Sequence, residues 1–129
     1  MELRKILYVD DEPDMREIVV MSLEVVGGFE VRSFENGAAA IEDAVAYRPD
    51  LLLLDVMMPG MTGPETLSRL RRISVTAETP AIFLTAKAQR HDIETLRQNR
   101  RADVIPKPFD VMELPAAIHN AWSRLAQLP

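Results

Sequence analysis

The chain contains no cysteine, so disulfides, thiolate metal sites and cysteine nucleophiles are all excluded. It also has no excess of positive charge: 20 acidic residues against 15 basic ones leave a formal net charge of −5. A phosphate backbone needs a basic face, so direct nucleic-acid binding is not expected. No apolar run approaches the roughly 18 residues of a membrane span, and no long apolar leader opens the chain. The expectation is therefore no membrane association and a cytoplasmic setting. Repeats, low-complexity tracts and interdomain linkers are missing too. What is present, 129 residues of which 47% are hydrophobic and 27% charged, suits one globular domain with a two-sided core. Because the last helical pattern runs almost to residue 129, one domain without an output domain is expected.

Strand and helix signals alternate five times. The strand patterns are Lys5–Val9, Phe29–Ser33, Asp50–Leu54, Pro80–Leu84 and Asp103–Ile105. Leu51-Leu52-Leu53-Leu54 is apolar on both faces, as a central parallel strand under helices should be, whereas Phe29–Phe34 alternates and suits an edge. The first helix starts at Glu12-Pro13, carries the stripe Met15, Ile18, Val19, Leu23 and Val26, and stops at Gly27-Gly28. Asn36 caps a second helix bearing Ala40, Ile41, Ala44 and Val45, and a third from Thr62-Gly63-Pro64 buries Leu67, Leu70 and Ile73. The fourth, within Ala86–Arg101, has only Ile93 and Leu96 as large apolar residues, so it is weakly anchored. The fifth carries Leu114, Ile118, Ala121, Trp122 and Leu125. Asp110 and Glu113 there have capping-box spacing, but Pro115 opposes it, so regular helix is expected only from about Leu114. Right-handed crossovers favour an α/β, doubly wound, five-stranded parallel sheet in the order 2-1-3-4-5.

That order gathers Asp10, Asp11, Asp55, Thr85 and Lys107 just past four strand ends, where open parallel sheets bind ligands. Three carboxylates in one crevice repel one another unless a cation intervenes, and hard oxygen ligands point to Mg²⁺. Lys107 adds a positive charge and Thr85 a hydroxyl donor, the parts that spread the charge of a transferring phosphoryl group. Asp55 then stands as a carboxylate nucleophile.

The runs Ile6-Leu7-Tyr8-Val9-Asp10-Asp11-Glu12-Pro13, Asp50 to Gly63, Pro80 to Ala86 and Pro106-Lys107-Pro108-Phe109 resemble, in order and spacing, the receiver domain of two-component response regulators, as in chemotaxis receivers. The resemblance implies a flavodoxin-like fold and a phosphorelay signalling role: a phosphoacceptor regulatory domain, catalysing only its own phosphorylation and slow dephosphorylation. It implies that Asp55 accepts a phosphoryl group from a sensor histidine kinase or phosphotransfer protein. Asp11 would ligate Mg²⁺ directly and Asp10 through water, with Asp55 and the Met57 carbonyl completing the protein ligands. Lys107 would pair with phosphoryl oxygens, followed by a cis peptide before Pro108, and Thr85 would swing toward the phosphoryl group. Met57 and Lys87 match positions that tune acyl-phosphate lifetime. The surface of the fourth helix, fifth strand and fifth helix would change its affinity for a protein partner or form a homodimer. Three departures stand out: Val104 where the family has an aromatic residue, Arg100-Arg101 in place of a small pair, and Thr62 in place of a frequent Asp.

Other readings of single residues remain. Asp10 and Asp11 also suit a helix cap. His91 and His119 lack ligand spacing and read as solvated, Arg69, Arg71 and Arg72 read as a solvated face, Trp122 as core, and the methionines as packing. A phosphohydrolase of the haloacid-dehalogenase type also joins a carboxylate nucleophile to Mg²⁺. It needs D-x-D after its first strand, however, and here Asp10-Asp11-Glu12 stand, with no cap domain.

Overall fold

In the computed structural model, which describes residues 2–129, one parallel sheet runs in the order β2-β1-β3-β4-β5. Its strands are β1 (Lys5–Val9), β2 (Glu30–Phe34), β3 (Leu51–Asp55), β4 (Ala81–Thr85) and β5 (Ala102–Pro106). The helices are α1 (Pro13–Met21), α2 (Gly37–Tyr47), α3 (Gly63–Leu70), α4 (Arg90–Arg97) and α5 (Leu114–Ala126). This is the expected doubly wound, flavodoxin-like topology, with β2 as a half-wet edge and β3 wholly buried.

Strand alternation sorts the core into two layers. Ile6, Tyr8, Leu51, Leu53, Ile82 and Leu84 pack against Val19 and Leu23 and against the α5 residues Leu114, Ile118, Ala121, Trp122 and Leu125. Leu7, Val9, Leu52, Leu54, Phe83 and Val104 face the other way, against α2, α3 and Leu96 of α4. Trp122 is core, as expected, and its indole N–H donates to the Asp50 carbonyl at 2.9 Å.

Several expectations need correction. Strands β2 to β4 begin and end one residue later than their patterns, and β5 extends to Ala102 and Pro106, so Asp55 and Thr85 are the last residues of β3 and β4. The α1 stripe is incomplete, because Ile18 and Val26 are about 40% exposed. After Met21 the helix widens into a π-turn over Ser22–Val26, where the Gly27 N–H reaches back to the Ser22 carbonyl at 3.1 Å. One extra residue per turn rotates the later residues off the apolar face. Val45 is likewise exposed, while Tyr47 takes the buried place at the end of α2. Ile73 lies beyond α3 and packs only partly on the core. No capping box forms before α5: the Asp110 carboxylate accepts from the Met112 N–H at 2.7 Å, and Pro115 sits in the first helical turn, where its missing N–H costs nothing.

The basic residues and methionines also differ. Arg71 is no solvated residue. Its guanidinium donates to the Thr76, Thr79 and Arg100 carbonyls, and burial lowers its pKa to about 10. Arg101, in the left-handed region at φ 54°, donates to the Leu125 and Leu128 carbonyls and so ties the end of α5 to the start of β5. Met58 is buried packing, but Met21, Met57 and Met112 are exposed. His91 and His119 are exposed as expected, and no described helix is long and apolar enough to cross a membrane.

Candidate functional site

Parallel strands all end at one edge, and there the chemistry-bearing residues meet. Asp10 and Asp11 follow β1, Asp55 closes β3, Thr85 closes β4 and Lys107 follows β5. One oxygen from each of Asp10, Asp11 and Asp55 lies within 4.8 Å of the other two. Asp10 is fully buried, Asp55 is 4% exposed, and Asp11 is partly open to solvent. Lys107 Nζ donates to Asp55 Oδ1 at 2.9 Å, and the Lys107–Pro108 peptide is cis.

Thr85 is buried beside this group but engaged elsewhere: its hydroxyl accepts from the Lys87 N–H at 3.0 Å. Its carbonyl accepts from the Lys107 N–H at 2.7 Å, which links the ends of β4 and β5. Met57 stands two residues past Asp55 with its side chain exposed. Val104 is buried with Leu96 and Ala102 between β5 and α4.

Local chemistry sets the Asp55 end. Gly60, at φ 80°, makes the left-handed turn that most residues avoid. Thr62 and Glu65 then form a capping box, so threonine serves well at the α3 start. A Cβ on Gly63 would lie 2.4 Å from the Asp55 carbonyl oxygen, so only glycine lets α3 press this closely on the end of β3.

Asp10 is held by three groups that sequence reasoning missed. Its Oδ2 accepts from the Tyr8 hydroxyl at 2.8 Å, its Oδ1 from the Glu12 N–H at 3.0 Å, and its carbonyl oxygen from Arg16 at 2.8 Å. Strand periodicity does not announce the Tyr8 contact, because Asp10 lies just past the end of β1. Asp10 is therefore more than a helix cap, and Glu12, the residue before α1, makes no side-chain cap.

Charge in the site is unbalanced, with three carboxylates facing one ammonium. Burial raises the Asp55 pKa above its ordinary value; the Lys107 hydrogen bond opposes this, while Asp10 and Asp11 add to it. For Lys107, burial disfavours the charge, but the hydrogen bond and attraction of Asp55, with Asp10 and Glu12, outweigh it and raise its pKa. Burial, then the Asp10 charge, also push the Tyr8 phenol upward, so it remains a hydroxyl donor. Three converging hard oxygens with surplus negative charge fit Mg²⁺, which takes carboxylates while keeping water and phosphate oxygens. Beside Lys107 an apolar groove of about 360 Å³ is lined by Met15, Ile18, Ala86, Pro108, Phe109 and Val111. A larger cavity of about 690 Å³ opens at the opposite sheet edge, near Arg4, Lys5 and Gly28.

The chain is similar to several known proteins. The response regulator receiver domain family matches residues 6–119. The DNA-binding dual master transcriptional regulator RpaA of Synechocystis is 34% identical over 125 residues, covering 97% of this chain and 52% of its own length. The phosphate regulon transcriptional regulatory protein PhoB of Pseudomonas aeruginosa is 39% identical over 121 residues, covering 94% and 52%. The chain thus spans about half the length of these curated relatives. Among solved structures, chemotaxis protein CheY4 of Vibrio cholerae matches with a TM-score of 0.85 at 28% identity, over 93% of this chain and 99% of that one. The receiver domain of sensor histidine kinase PA1611 from Pseudomonas aeruginosa, with a magnesium ion coordinated in its active-site cleft, matches with a TM-score of 0.81 at 27% identity, over 95% and 99%. Since the family match runs from β1 into α5 and takes in all five strands, the chain belongs to the response regulator receiver domains of two-component systems.

Proposed function

We propose that this domain is a phosphorylation-dependent switch whose phosphoacceptor is Asp55. The observation that carries the reading is the meeting of the Asp10, Asp11 and Asp55 oxygens with the Lys107 ammonium at the sheet edge. In the reaction an Asp55 carboxylate oxygen attacks the phosphorus of a kinase or phosphotransfer-protein phosphohistidine. The new O–P bond forms as the P–N bond breaks, and the imidazole leaves with its electron pair and takes up a proton. Lys107 turns from Asp55 toward the incoming phosphoryl oxygens, and the buried setting keeps its charge effective. Asp11 and Asp55, Asp10 through water and the Met57 carbonyl would hold Mg²⁺, which would supply charge neutralisation for the crowded oxygens.

Thr85 exchanges its Lys87 partner for a phosphoryl oxygen, and the loop before α4 follows. The α4-β5-α5 face then changes its affinity for a protein partner, or for a second copy of the domain. Within that face Arg97 of α4 and Arg124 of α5 both pair with Asp103 of β5, at 2.8 and 3.3 Å, which supports treating it as one surface. The reading includes a single receiver domain over residues 1–129, a cytoplasmic setting and no direct nucleic-acid contact by this domain.

The test is intact-mass analysis after incubation with acetyl phosphate and Mg²⁺. One phosphoryl group per chain is expected on the wild type and none on Asp55→Asn. Absence of phosphate on the wild type, or an unchanged yield in the variant, contradicts the reading. So does steady release of many equivalents of product from a phosphate ester.

A further inference from the structure

Tyr8 is fully buried in the apolar layer that includes Val19, Leu23, Leu53, Leu84 and Leu114. A phenol in such a place needs a hydrogen-bond partner, and this one has Asp10 Oδ2 at 2.8 Å. Asp10 itself has no exposed surface, so solvent does not set the orientation of its carboxylate. Two donors do: Tyr8 from within the sheet on Oδ2, and the Glu12 N–H from the start of α1 on Oδ1. A carboxylate has about four lone-pair positions, so each oxygen keeps capacity toward the crevice while the group cannot pivot.

We propose that Tyr8 is a positioning residue of the metal site, its hydroxyl locking the Asp10 carboxylate in the orientation that keeps an Asp10 oxygen in the cluster with Asp11 and Asp55. The inference rests on the Mg²⁺ reading above and adds a residue to it. Groups that hold a metal ligand from behind commonly change metal affinity by about 10–100-fold when removed. Tyr8→Phe keeps the ring in the core and deletes only the donor. The Asp10 carboxylate is then held by the Glu12 N–H alone and is free to rotate about its Cβ–Cγ bond. Because Asp10 is expected to act through water, the lower end of that range applies.

The experiment is a double-mutant cycle read by direct calorimetric titration of Mg²⁺ into the unphosphorylated domain. Wild type, Tyr8→Phe, Asp10→Ala and the double variant are compared, with apo melting curves confirming that each folds. Tyr8→Leu supplies a second hydroxyl-free side chain if the phenylalanine variant does not fold. The expected result is a Kd about tenfold higher for Tyr8→Phe and no further change when Tyr8→Phe is added to Asp10→Ala. That coupling separates positioning from packing, since a packing defect would weaken both backgrounds alike. An unchanged Kd in Tyr8→Phe, or an equal loss in both backgrounds, overturns the proposal while the Mg²⁺ site stands. If wild type does not bind Mg²⁺, the metal reading itself fails.

Discussion

Asp55 gathers the site's electrostatic cost at one residue. Burial and the neighbouring charges of Asp10 and Asp11 hold its folded-state pKa above the ordinary carboxylate value, and Lys107 offsets only part of this. The folded chain therefore binds the Asp55 proton more tightly than the unfolded chain does. Stability falls as pH rises from about 4, the unfolded value, through the raised folded value, and above that window the charged carboxylate is a standing cost. Asp55→Asn is thus expected to melt at a higher temperature than wild type at pH 7 in chelator, with the gap closing as pH drops below about 4. Scanning calorimetry across pH checks this, and a variant less stable at pH 7 contradicts it. Metal works in the same direction: a cation bound only by the folded state adds RT ln(1 + [L]/Kd), about 2.7 kcal/mol at 100 times Kd.

At the scale of elements, α4 is the weak one. It has eight residues, with Leu96 its only buried side chain and Ile93 partly buried, whereas every residue of β3 is buried. In hydrogen exchange the Glu94–Arg97 amides are expected to show about a hundredfold less protection than those of Leu52–Leu54, a difference of ~3 kcal/mol in opening free energy. Equal protection would contradict a mobile α4. This weakness was legible in the sequence, as were the order of elements and the central strand, because four successive leucines or a sparse apolar face leave few alternatives. The end of the first helix was not. The π-turn at Ser22–Val26 changes the period that side-chain patterning relies on, and Ser22 turns inward to donate to the Val111 carbonyl at 2.5 Å. Arg71 escaped for a related reason: it caps carbonyls in an irregular loop, which carries no periodicity. At the site, Asp10, Asp11, Asp55 and Lys107 could be read together because topology alone brings strand ends to one edge. Tyr8 was passed over because an aromatic residue in a strand reads as packing, and its hydroxyl partner emerges only when the chain turns after β1. The hydroxyl of Thr85 sits on Lys87 for a similarly local reason, a two-residue turn beyond β4.

Over the whole molecule, the parallel sheet does two things at once. Covered on both faces, it supplies a two-layer core, and it leaves one edge where the buried Asp10 and Asp55 carboxylates are held by hydrogen bonds from Tyr8, Glu12 and Lys107 rather than by solvent. The net charge of the whole chain, −5, has the same sign as the surplus of carboxylates at that edge. In the proposed switch the coupling would run outward from Thr85 to α4, β5 and α5, where Val104 is buried with Leu96 and Ala102. As a phosphorylation switch, the domain would direct a phosphoryl group at this edge to Asp55 and to no other carboxylate. The most direct test is to phosphorylate the domain with acetyl phosphate and Mg²⁺, reduce the acyl phosphate with borohydride, and map the resulting homoserine by peptide sequencing. Homoserine is expected at position 55 alone, and is lost when Mg²⁺ is chelated beforehand. Homoserine at position 10 or 11, or a position-55 signal that survives chelation unchanged, would contradict this expectation.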